Sequence, residues 1–386
     1  MPPVKHARLN CSSAKRWINC PGSVKLAELF PQGSSVYADE GSLAHELAEK
    51  WLIGTGGNAE IRSKIEMFYI DHPDLGGSYK EMQDYLEPYI EFIAEELDAA
   101  RHEDPGATIH TETRVDLSQW IPDGFGTTDV AILGGDTLHV IDLKYGKGVP
   151  VSAEGNPQIR LYALGMLDLL GDIYDIEKVK MTIYQPRLDS VSTDIVTAEE
   201  LRTWGDLIIK PAAKLALEDN APLCAGDWCQ FCPARNQCRE RADHYLQVKE
   251  YKDKALLSNK ETADILQFVD GLVRWAEGLK EDALARMLEG EEFPGWKVVE
   301  GRSNRKYSVD DLTIAKACTA AGYADAMIWE KKLISLSNME KLMGKKDFEK
   351  VLGGYVEKPQ GKPTLAPESD KRPSLIATAA DDFADE

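Results

Sequence analysis

The sequence predicts a mixed α/β protein. Three segments with the alternating pattern of strands follow Pro105-Gly106, namely TIHTETRVDL, GTTDVAIL and TLHVIDLKY. A long helix over about residues 79–101 precedes them, and a helix in NPQIRLYALGMLDLLG separates them from a further strand in KVKMTIYQP. The order of helix, three strands, helix and strand is that of an α/β core.

Two helical segments are predicted before this core. The first, CSSAKRWINCPGSVKLAELFP, predicts two short helices joined by a Cys-Pro-Gly turn. The second, EGSLAHELAEKWLIG, has apolar residues at helical spacing and a stop at Gly54. It predicts a helix that begins just after a glycine turn at Gly41 and carries His45.

The C-terminal third is predicted to be mainly helical. Ser258 and Glu261 have the spacing of a capping box for one long amphipathic helix, and a hairpin is predicted around GWKVVEGRSNRKYS. The end of the chain is rich in Pro, Lys, Ser and Asp, which predicts a disordered tail with an acidic tip. We therefore expect domains at 1–245 and 250–355, and a tail at 356–386.

Composition narrows the class of protein. The 386 residues, 28% of them charged and 43% hydrophobic, suffice for two or three globular domains. No apolar run approaches the roughly 18 residues of a membrane span, and the start lacks the apolar stretch of a secretory signal. We therefore expect a cytoplasmic protein without a membrane partner. The net charge of −20 argues against a protein that coats nucleic acid, although an enzyme needs only a local basic groove.

Three residues in the predicted strands suggest a metal site. Asp142 and Lys144 are two apart on one strand and so share a face, and a hairpin would place Asp129 beside Asp142. Two adjacent carboxylates repel each other unless a cation lies between them, and oxygen ligands suit Mg²⁺ or Mn²⁺. On these residues alone, a turn aspartate and a surface ion pair explain the pattern equally well.

With its neighbours, this pattern resembles the RecB-like branch of the PD-(D/E)XK nucleases. The resemblance spans roughly residues 10–240, and the predicted elements match that family's restriction-endonuclease-like αβββαβ core. The matching motifs, in order, are Gly41 with His45, Gly126 with Asp129, Asp142 with Lys144, and Gln158 with Tyr162.

The resemblance implies a role for each of these residues. It makes His45, Asp129, Asp142 and the backbone carbonyl of Leu143 ligands of the metal. It makes Lys144 the residue that activates or positions water. Gln158 and Tyr162 would contact DNA or support the site. Glu112, on the first strand, is either a residue that supports the ligands or a solvent-facing one.

The cysteines point to a second inorganic site. Cys224, Cys229, Cys232 and Cys238 crowd into one short stretch, in a chain whose expected compartment keeps thiols reduced. Cys229, Cys232 and Cys238 need a fourth ligand, either Cys224 or Cys20, and the spacing suits both zinc and iron–sulfur clusters. AddB-type nucleases of the same family bind a [4Fe-4S] cluster through one cysteine in a Cys-Pro turn before the core and three after it. The resemblance therefore implies Cys20, Cys229, Cys232 and Cys238, in helices that surround the core.

The expected function is metal-dependent DNA hydrolysis. Family resemblance favours an exonuclease acting on single strands or DNA ends, in recombination, repair or phage DNA metabolism. The alternatives are a catalytically silent DNA-binding or assembly module of the same fold, and a zinc-containing nuclease acting on RNA. No helicase P-loop pattern is present, so any unwinding would come from a partner.

Two terminal features suggest further contacts. Arg302, Arg305 and Lys306 fall within one predicted turn, which is either a phosphate-contacting finger or a solvated loop. The acidic tip, with Phe383 as an apolar anchor, is a candidate site for docking onto a single-strand-binding or annealing protein.

Overall fold

The computed structural model describes residues 7–31, 35–54, 59–171, 173–246, 258–267, 269–299, 310–324, 328–329, 333 and 335–356. It divides into two units, Met1–Ala283 and Leu284–Glu386. None of the helices in the described ranges combines the length and the apolar character of a membrane span.

A five-stranded mixed sheet forms the centre of the first unit. Its strands are β1 (Thr108–Asp116), β2 (Phe125–Gly134), β3 (Thr137–Leu143), β4 (Lys178–Gln185) and β5 (Ser190–Thr197), adjacent in that order. The β1–β2, β2–β3 and β4–β5 pairs are antiparallel, and only β3 and β4 run parallel. A parallel pair needs a crossover connection, which the chain between β3 and β4 supplies.

The helices of the first unit lie before, between and after these strands. They are α1 (Ala14–Asn19), α2 (Ser23–Glu28), α3 (Val36–Leu52), α4 (Ala59–Asp71), α5 (Tyr79–Glu103), α6 (Pro157–Leu170), α7 (Ala198–Trp204), α8 (Lys210–Ala216), α9 (Arg239–Leu246), α10 (Asn259–Leu266) and α11 (Val269–Leu288), the last extending past Ala283. A π-helical turn, Gly205–Ile209, joins α7 to α8.

Helix α6 is the crossover between β3 and β4, and it packs on one face of the sheet. Asn156 caps it by accepting a hydrogen bond from the Gln158 N–H, and Pro157 occupies the first turn, where its missing N–H costs nothing. Most of its side chains are buried in one core with Leu138 and Val140 of β3.

The other face of the sheet packs against α3, α4 and α5. Ile141 and Leu143 alternate with Val140 and Asp142 along β3 and join this second core. The sheet therefore lies between two helical layers, which confirms the predicted mixed α/β class.

Most predicted elements appear with shifted bounds, and three differ. Helix α3 begins at Val36, so Gly41 lies inside it rather than in a turn. The Ser258 capping box is present, but the predicted long helix is two helices, α10 and α11, with Gln267 as the C-cap of the first. Strand β5 was not predicted, because its polar residues Ser192 and Asp194 turn inward while Val191 and Ile195 are exposed, the reverse of the usual pattern.

The described part of the second unit is helical, with α12 (Asp311–Ala320), α13 (Leu336–Met343) and α14 (Lys345–Leu352). The predicted hairpin is not seen in the described residues 296–299, which are not in a strand. Its remainder at 300–309, with Arg302, Arg305 and Lys306, lies outside the described residues. So does the chain from 357 onward, with the acidic tip and Phe383.

Candidate active site and cysteine cavity

Strands β2 and β3 separate at Asp129. Their ladder ends at the pair Val130–Ile141, and one residue further on the Asp129 carboxylate accepts a hydrogen bond of 2.8 Å from the Leu143 N–H. A side chain thus replaces the ladder contact between the strands. The carboxylate is held against the β3 backbone, and Leu143 contributes its N–H to the arrangement.

His45 reaches this carboxylate from α3. Its Nδ1 atom lies 3.2 Å from Asp129 Oδ1. Burial alone would lower the pKa of His45 and raise that of Asp129, but their mutual attraction reverses both shifts. The histidine pKa is therefore raised and the aspartate pKa lowered, so the site favours an ionised Asp129.

Asp142, on β3, and Lys144, just after its end, form a separate pair. Lys144 Nζ lies 2.6 Å from the buried Asp142 Oδ2. Burial raises the pKa of Asp142, the lysine charge opposes the rise, and Asp129 adds to it. A buried carboxylate needs a positive partner, which Lys144 supplies here and which a bound cation could also supply.

Glu112 joins the site through an unusual backbone conformation. It falls between the pairs Thr111–Val130 and Thr113–Thr128, opposite Asp129, at a φ of +44°. The left-handed region is rare for residues with a long side chain, and such residues concentrate at functional sites. Burial first, and then the charge of Asp129, raise the pKa of Glu112 to about 7.

His45, Glu112 and Asp129 meet the geometric requirement for a metal site. One ligand atom from each lies within 4.8 Å of the others. An imidazole with two carboxylates suits Mn²⁺, and the carboxylates suit Mg²⁺. The donors therefore fit a divalent cation. Asp142 does not belong to this group of three, since its oxygen faces Lys144.

Gln158 and Tyr162 lie one turn apart on α6, beside these carboxylates. The Gln158 amide donates to the Tyr162 hydroxyl at 3.1 Å. Burial and the nearby charge of Asp142 raise the pKa of Tyr162, so the phenol remains neutral. A side chain at Gly126 would meet the Tyr162 ring and Cys11 Sγ at 2.9 Å, which explains a glycine three residues before Asp129.

A buried ion pair fixes helix α3 to the rest of the unit. Both side-chain carboxylate oxygens of Glu40 accept from Arg187, at 2.9 and 3.0 Å, and the Tyr69 hydroxyl donates to one of them at 2.8 Å. Arg187 follows β4 and lies over the Tyr145 ring. Since Glu40 and His45 share α3, this pair also positions the histidine.

The four cysteines that were predicted as ligands line one small cavity. Cys20 follows α1, whereas Cys229, Cys232 and Cys238 come more than 200 residues later, and all four border the same space. The first three are buried and Cys238 is partly buried. Cys224 also borders the cavity but is exposed. Burial raises the pKa of the Cys20 and Cys229 thiols, and the neighbouring cysteines raise it further.

Two cysteine sulfurs at the cavity receive hydrogen bonds. The Cys224 N–H lies 3.2 Å from Cys20 Sγ, and Arg16 Nη1 lies 3.9 Å from Cys232 Sγ. Among the described cysteines no three sulfurs lie within 4.8 Å of one another. Cysteine thiolates are ligands of both zinc and iron–sulfur clusters, so the four side chains suit either kind of centre by donor type.

A groove of about 900 Å³ lies between α6 and the cysteine segment. Gln158 lines one part of it, and Trp228 and Phe231 of the cysteine segment line another. Exposed Phe231 and partly exposed Trp204 supply aromatic surface. Lys15, Arg16 and Arg274 supply positive charge, beside the acidic lining residues Glu154 and Asp227. Aromatic and basic side chains along a groove are typical of single-strand nucleic-acid binding.

The structure therefore places the predicted site residues in two clusters. His45, Asp129 and the Leu143 backbone lie together, with Asp142 and Lys144 alongside and Gln158 and Tyr162 behind them. Glu112 belongs to the possible cation-binding group, a role that the sequence left open. The sequence could not predict this position, because it depends on the positive φ of Glu112.

Comparison with known proteins gives a family and a structural match. A family model described as "Protein of unknown function (DUF2800)" matches residues 6–373. A solved structure titled "Crystal structure of SSO0001" is 16% identical, covers 55% of this chain and 99% of its own, and has a TM-score of 0.23.

Proposed function

The chain belongs to the DUF2800 family, and we propose that it is a metal-dependent DNA nuclease with a RecB-like, restriction-endonuclease-like core. The observation that carries the proposal is the meeting of His45, Asp129 and the Asp142–Lys144 pair where β2 and β3 separate. A cation-binding set beside a buried carboxylate–lysine pair is suited to phosphodiester hydrolysis.

Each residue has a task in this proposal. A divalent cation would polarise the phosphate and lower the pKa of a bound water. His45 and Asp129 would hold the cation, together with the Asp142 oxygen that faces Lys144. Lys144 would turn from Asp142 toward the attacking water and the phosphate, where its charge stabilises the growing negative charge. Gln158 would orient the substrate from the groove.

We further propose that Cys20, Cys229, Cys232 and Cys238 bind a [4Fe-4S] cluster. No three sulfurs of the described cysteines lie within 4.8 Å of one another, which favours a cluster over a single zinc ion, and the exposed Cys224 is the less suitable fourth ligand. Hydrogen bonds from the Cys224 N–H and Arg16 would tune the sulfurs.

DNA is the proposed partner, and the groove supports single strands. Its aromatic side chains can stack on unpaired bases, and its three basic residues can contact phosphates despite the acidic charge of the whole chain. Duplex ends would enter only after fraying or unwinding.

A cleavage assay tests the proposal. We expect the anaerobically purified full chain to degrade end-labelled single-stranded DNA with Mn²⁺ or Mg²⁺. Asp142→Asn should lose activity by about 100-fold or more, the scale on which single transition-state contacts act. Asp168→Asn, which removes an exposed carboxylate of α6 outside the groove lining, is the matched control and should cleave normally.

The same assay separates the alternatives. No cleavage of any nucleic acid, with DNA binding retained, would support a catalytically silent module. Cleavage of RNA alone, by a protein holding zinc and no iron, would support the zinc-containing ribonuclease. Full activity in Asp142→Asn would overturn the proposed active site.

A further inference from the structure

The two edges of the sheet differ in how they are protected against pairing with another strand. On β1, the ladder is interrupted at Glu112, and Arg114 and Asp116 carry exposed charges. On β5, all eight residues pair with β4 without interruption, and none is a proline or has a positive φ. Its outward side chains are uncharged, namely Val191, Thr193, Ile195 and Thr197. Proteins usually protect an exposed edge with a short or distorted strand, a proline or a charge, so the outer edge of β5 is unusually open.

Three residues of β5 direct their backbone groups to this outer edge. The Tyr184 carbonyl of β4 accepts a hydrogen bond from the Lys144 N–H and therefore points toward β3. Since Tyr184 turns away from β5, the residue opposite it, Val191, directs its own N–H and C=O outward. Thr193 and Ile195 do the same, because the direction alternates along a strand. Within the described chain, the N–H groups of Val191 and Thr193 have no hydrogen-bond partner.

Contacts on the inner side hold β5 in place. The Thr193 hydroxyl lies 3.0 Å from the hydroxyl of buried Thr182 on β4. The inward carboxylate of Asp194 is neutralised by Arg160 at 2.9 Å and also accepts from the Gly155 N–H. Its charge is therefore satisfied and does not repel a strand on the outer side. A strand that is already ordered loses little conformational entropy when a partner binds.

Acidic side chains flank one end of this edge. Glu91 and Glu95 lie exposed and about one turn apart on α5, and exposed Asp189 directly precedes β5. Burial raises the pKa of Tyr184, and the charges of these three residues raise it further, so all three are near the tyrosine. Lys178 is an exposed cation at the opposite end of the β4–β5 ladder. A basic strand would match the acidic end, whereas a second copy would bring a further net charge of −20.

We propose that the outer edge of β5 binds an extended, basic segment of another protein by β-strand addition. The backbone of that segment would pair with Val191, Thr193 and Ile195, and its lysine or arginine side chains would reach Glu91 and Glu95. Main-chain hydrogen bonds supply the affinity in this mode of binding, and the charges select the partner. The inference is independent of the proposed nuclease activity, because β5 contributes neither the proposed metal ligands nor the lining of the groove.

A peptide-binding experiment on the full chain tests this proposal. The probe is a fluorescent eight-residue peptide of alternating lysine and valine, followed by fluorescence anisotropy. It should bind, whereas a peptide of alternating glutamate and valine should not. The lysine peptide methylated on every backbone nitrogen should bind at least about 10-fold more weakly, because it cannot donate main-chain hydrogen bonds. Hydrogen exchange should show slower exchange at the amides of Val191 and Thr193 when the probe is bound.

Matched variants separate pairing at this edge from general charge attraction. The double variant Glu91→Gln with Glu95→Gln should weaken binding by about 3- to 10-fold, since two exposed ion pairs are lost. Glu60→Gln with Glu103→Gln removes the same number of exposed carboxylates elsewhere and should bind normally. Failure of the lysine peptide to bind, equal binding of its methylated form, or protection confined to amides outside β5 would overturn the proposal. A wild-type dimer whose β5 amides are already protected would also overturn it, because a second copy would then occupy the edge.

Discussion

The candidate active site and the cysteine cavity are built in different ways from the same chain. Four of the site residues, from Glu112 to Lys144, lie on or just after three adjacent strands and within 33 positions of one another. The cavity instead joins Cys20 to cysteines more than 200 residues later. The first arrangement concentrates charge at one point of a sheet, and the second brings together segments that precede and follow the sheet in the sequence.

The two regions therefore differ in what they hold together: the sheet positions the carboxylates, whereas the cysteines bring distant segments of the chain together. Hydrophobic cores on both faces of the sheet fix the strands, so the carboxylates can be held close together although they repel. Helix α1 precedes the strands of the sheet in the sequence, and α9 follows them. An inorganic centre between Cys20 and the later cysteines would connect these segments covalently, and the active-site residues would not need to change.

Loss of the proposed iron–sulfur cluster should have the largest effect on the free energy of unfolding. We expect Cys20→Ser to lose iron and to lower the free energy of unfolding by about 5 kcal/mol, the entropy of opening a loop of this length. Iron and sulfide analysis with urea unfolding measures both. The matched control, Cys224→Ser, should keep the iron. Iron lost in Cys224→Ser and kept in Cys20→Ser would transfer the fourth ligand to Cys224.

Breaking the ion pair between Glu40 of α3 and Arg187 should affect the candidate active site and leave the cysteine cavity unchanged. Glu40→Gln leaves Arg187 buried without its charge partner, which should cost about 4 kcal/mol. Thermal unfolding and Mn²⁺ affinity measure the effect, and Mn²⁺ binding should weaken because α3 carries His45. Glu28→Gln, which removes an exposed pair with Arg8, should leave both quantities nearly unchanged. An unaltered Mn²⁺ affinity in Glu40→Gln would show that α3 does not depend on this pair.

Stability at low pH should depend on Glu96. A hydrogen bond from His139 and contact with Lys180 lower the pKa of Glu96 to about 2. Burial acts in the opposite direction but is outweighed. A lowered carboxylate pKa stabilises the fold above about pH 4.5, and this stabilisation disappears as the pH falls toward 2. Because the carboxylate is partly solvated and its ion pairs are screened, we expect wild type to exceed Glu96→Gln by only about 1 kcal/mol at pH 7, shrinking with acidification. Comparing both proteins at each pH cancels the shared loss of an acid-labile cluster, and the exposed neighbour Glu95→Gln should show no such difference.

The sequence indicated the strands and the helices of the core because their apolar residues follow regular periods. It missed β5, where Ser192 and Asp194 bond to the loop before α6 and so reverse the usual alternation. The spacing of Asp129, Asp142 and Lys144 on the predicted strands suggested a metal site but suited a surface ion pair equally well, and only the family resemblance favoured the first. The position of Glu112 was not, since it depends on one backbone angle. Likewise, only the fold brings Cys20 to the cysteines that follow the core.

The smallest predicted effect concerns that backbone angle. Glu112→Gly should relieve the left-handed strain of the folded state, worth about 1–2 kcal/mol. Part of this gain in stability is offset, because glycine gives the unfolded chain greater conformational freedom. We expect the metal-free protein to become more stable by about 0.5–1 kcal/mol. Added Mn²⁺ should stabilise this variant less than the wild type, because a ligand has been lost. Urea unfolding with and without Mn²⁺ measures both changes, and Glu112→Ala, which keeps the strain and loses the ligand, separates them. A less stable metal-free Glu112→Gly would show that the Glu112 side chain stabilises the fold itself, and the strain would then need another explanation.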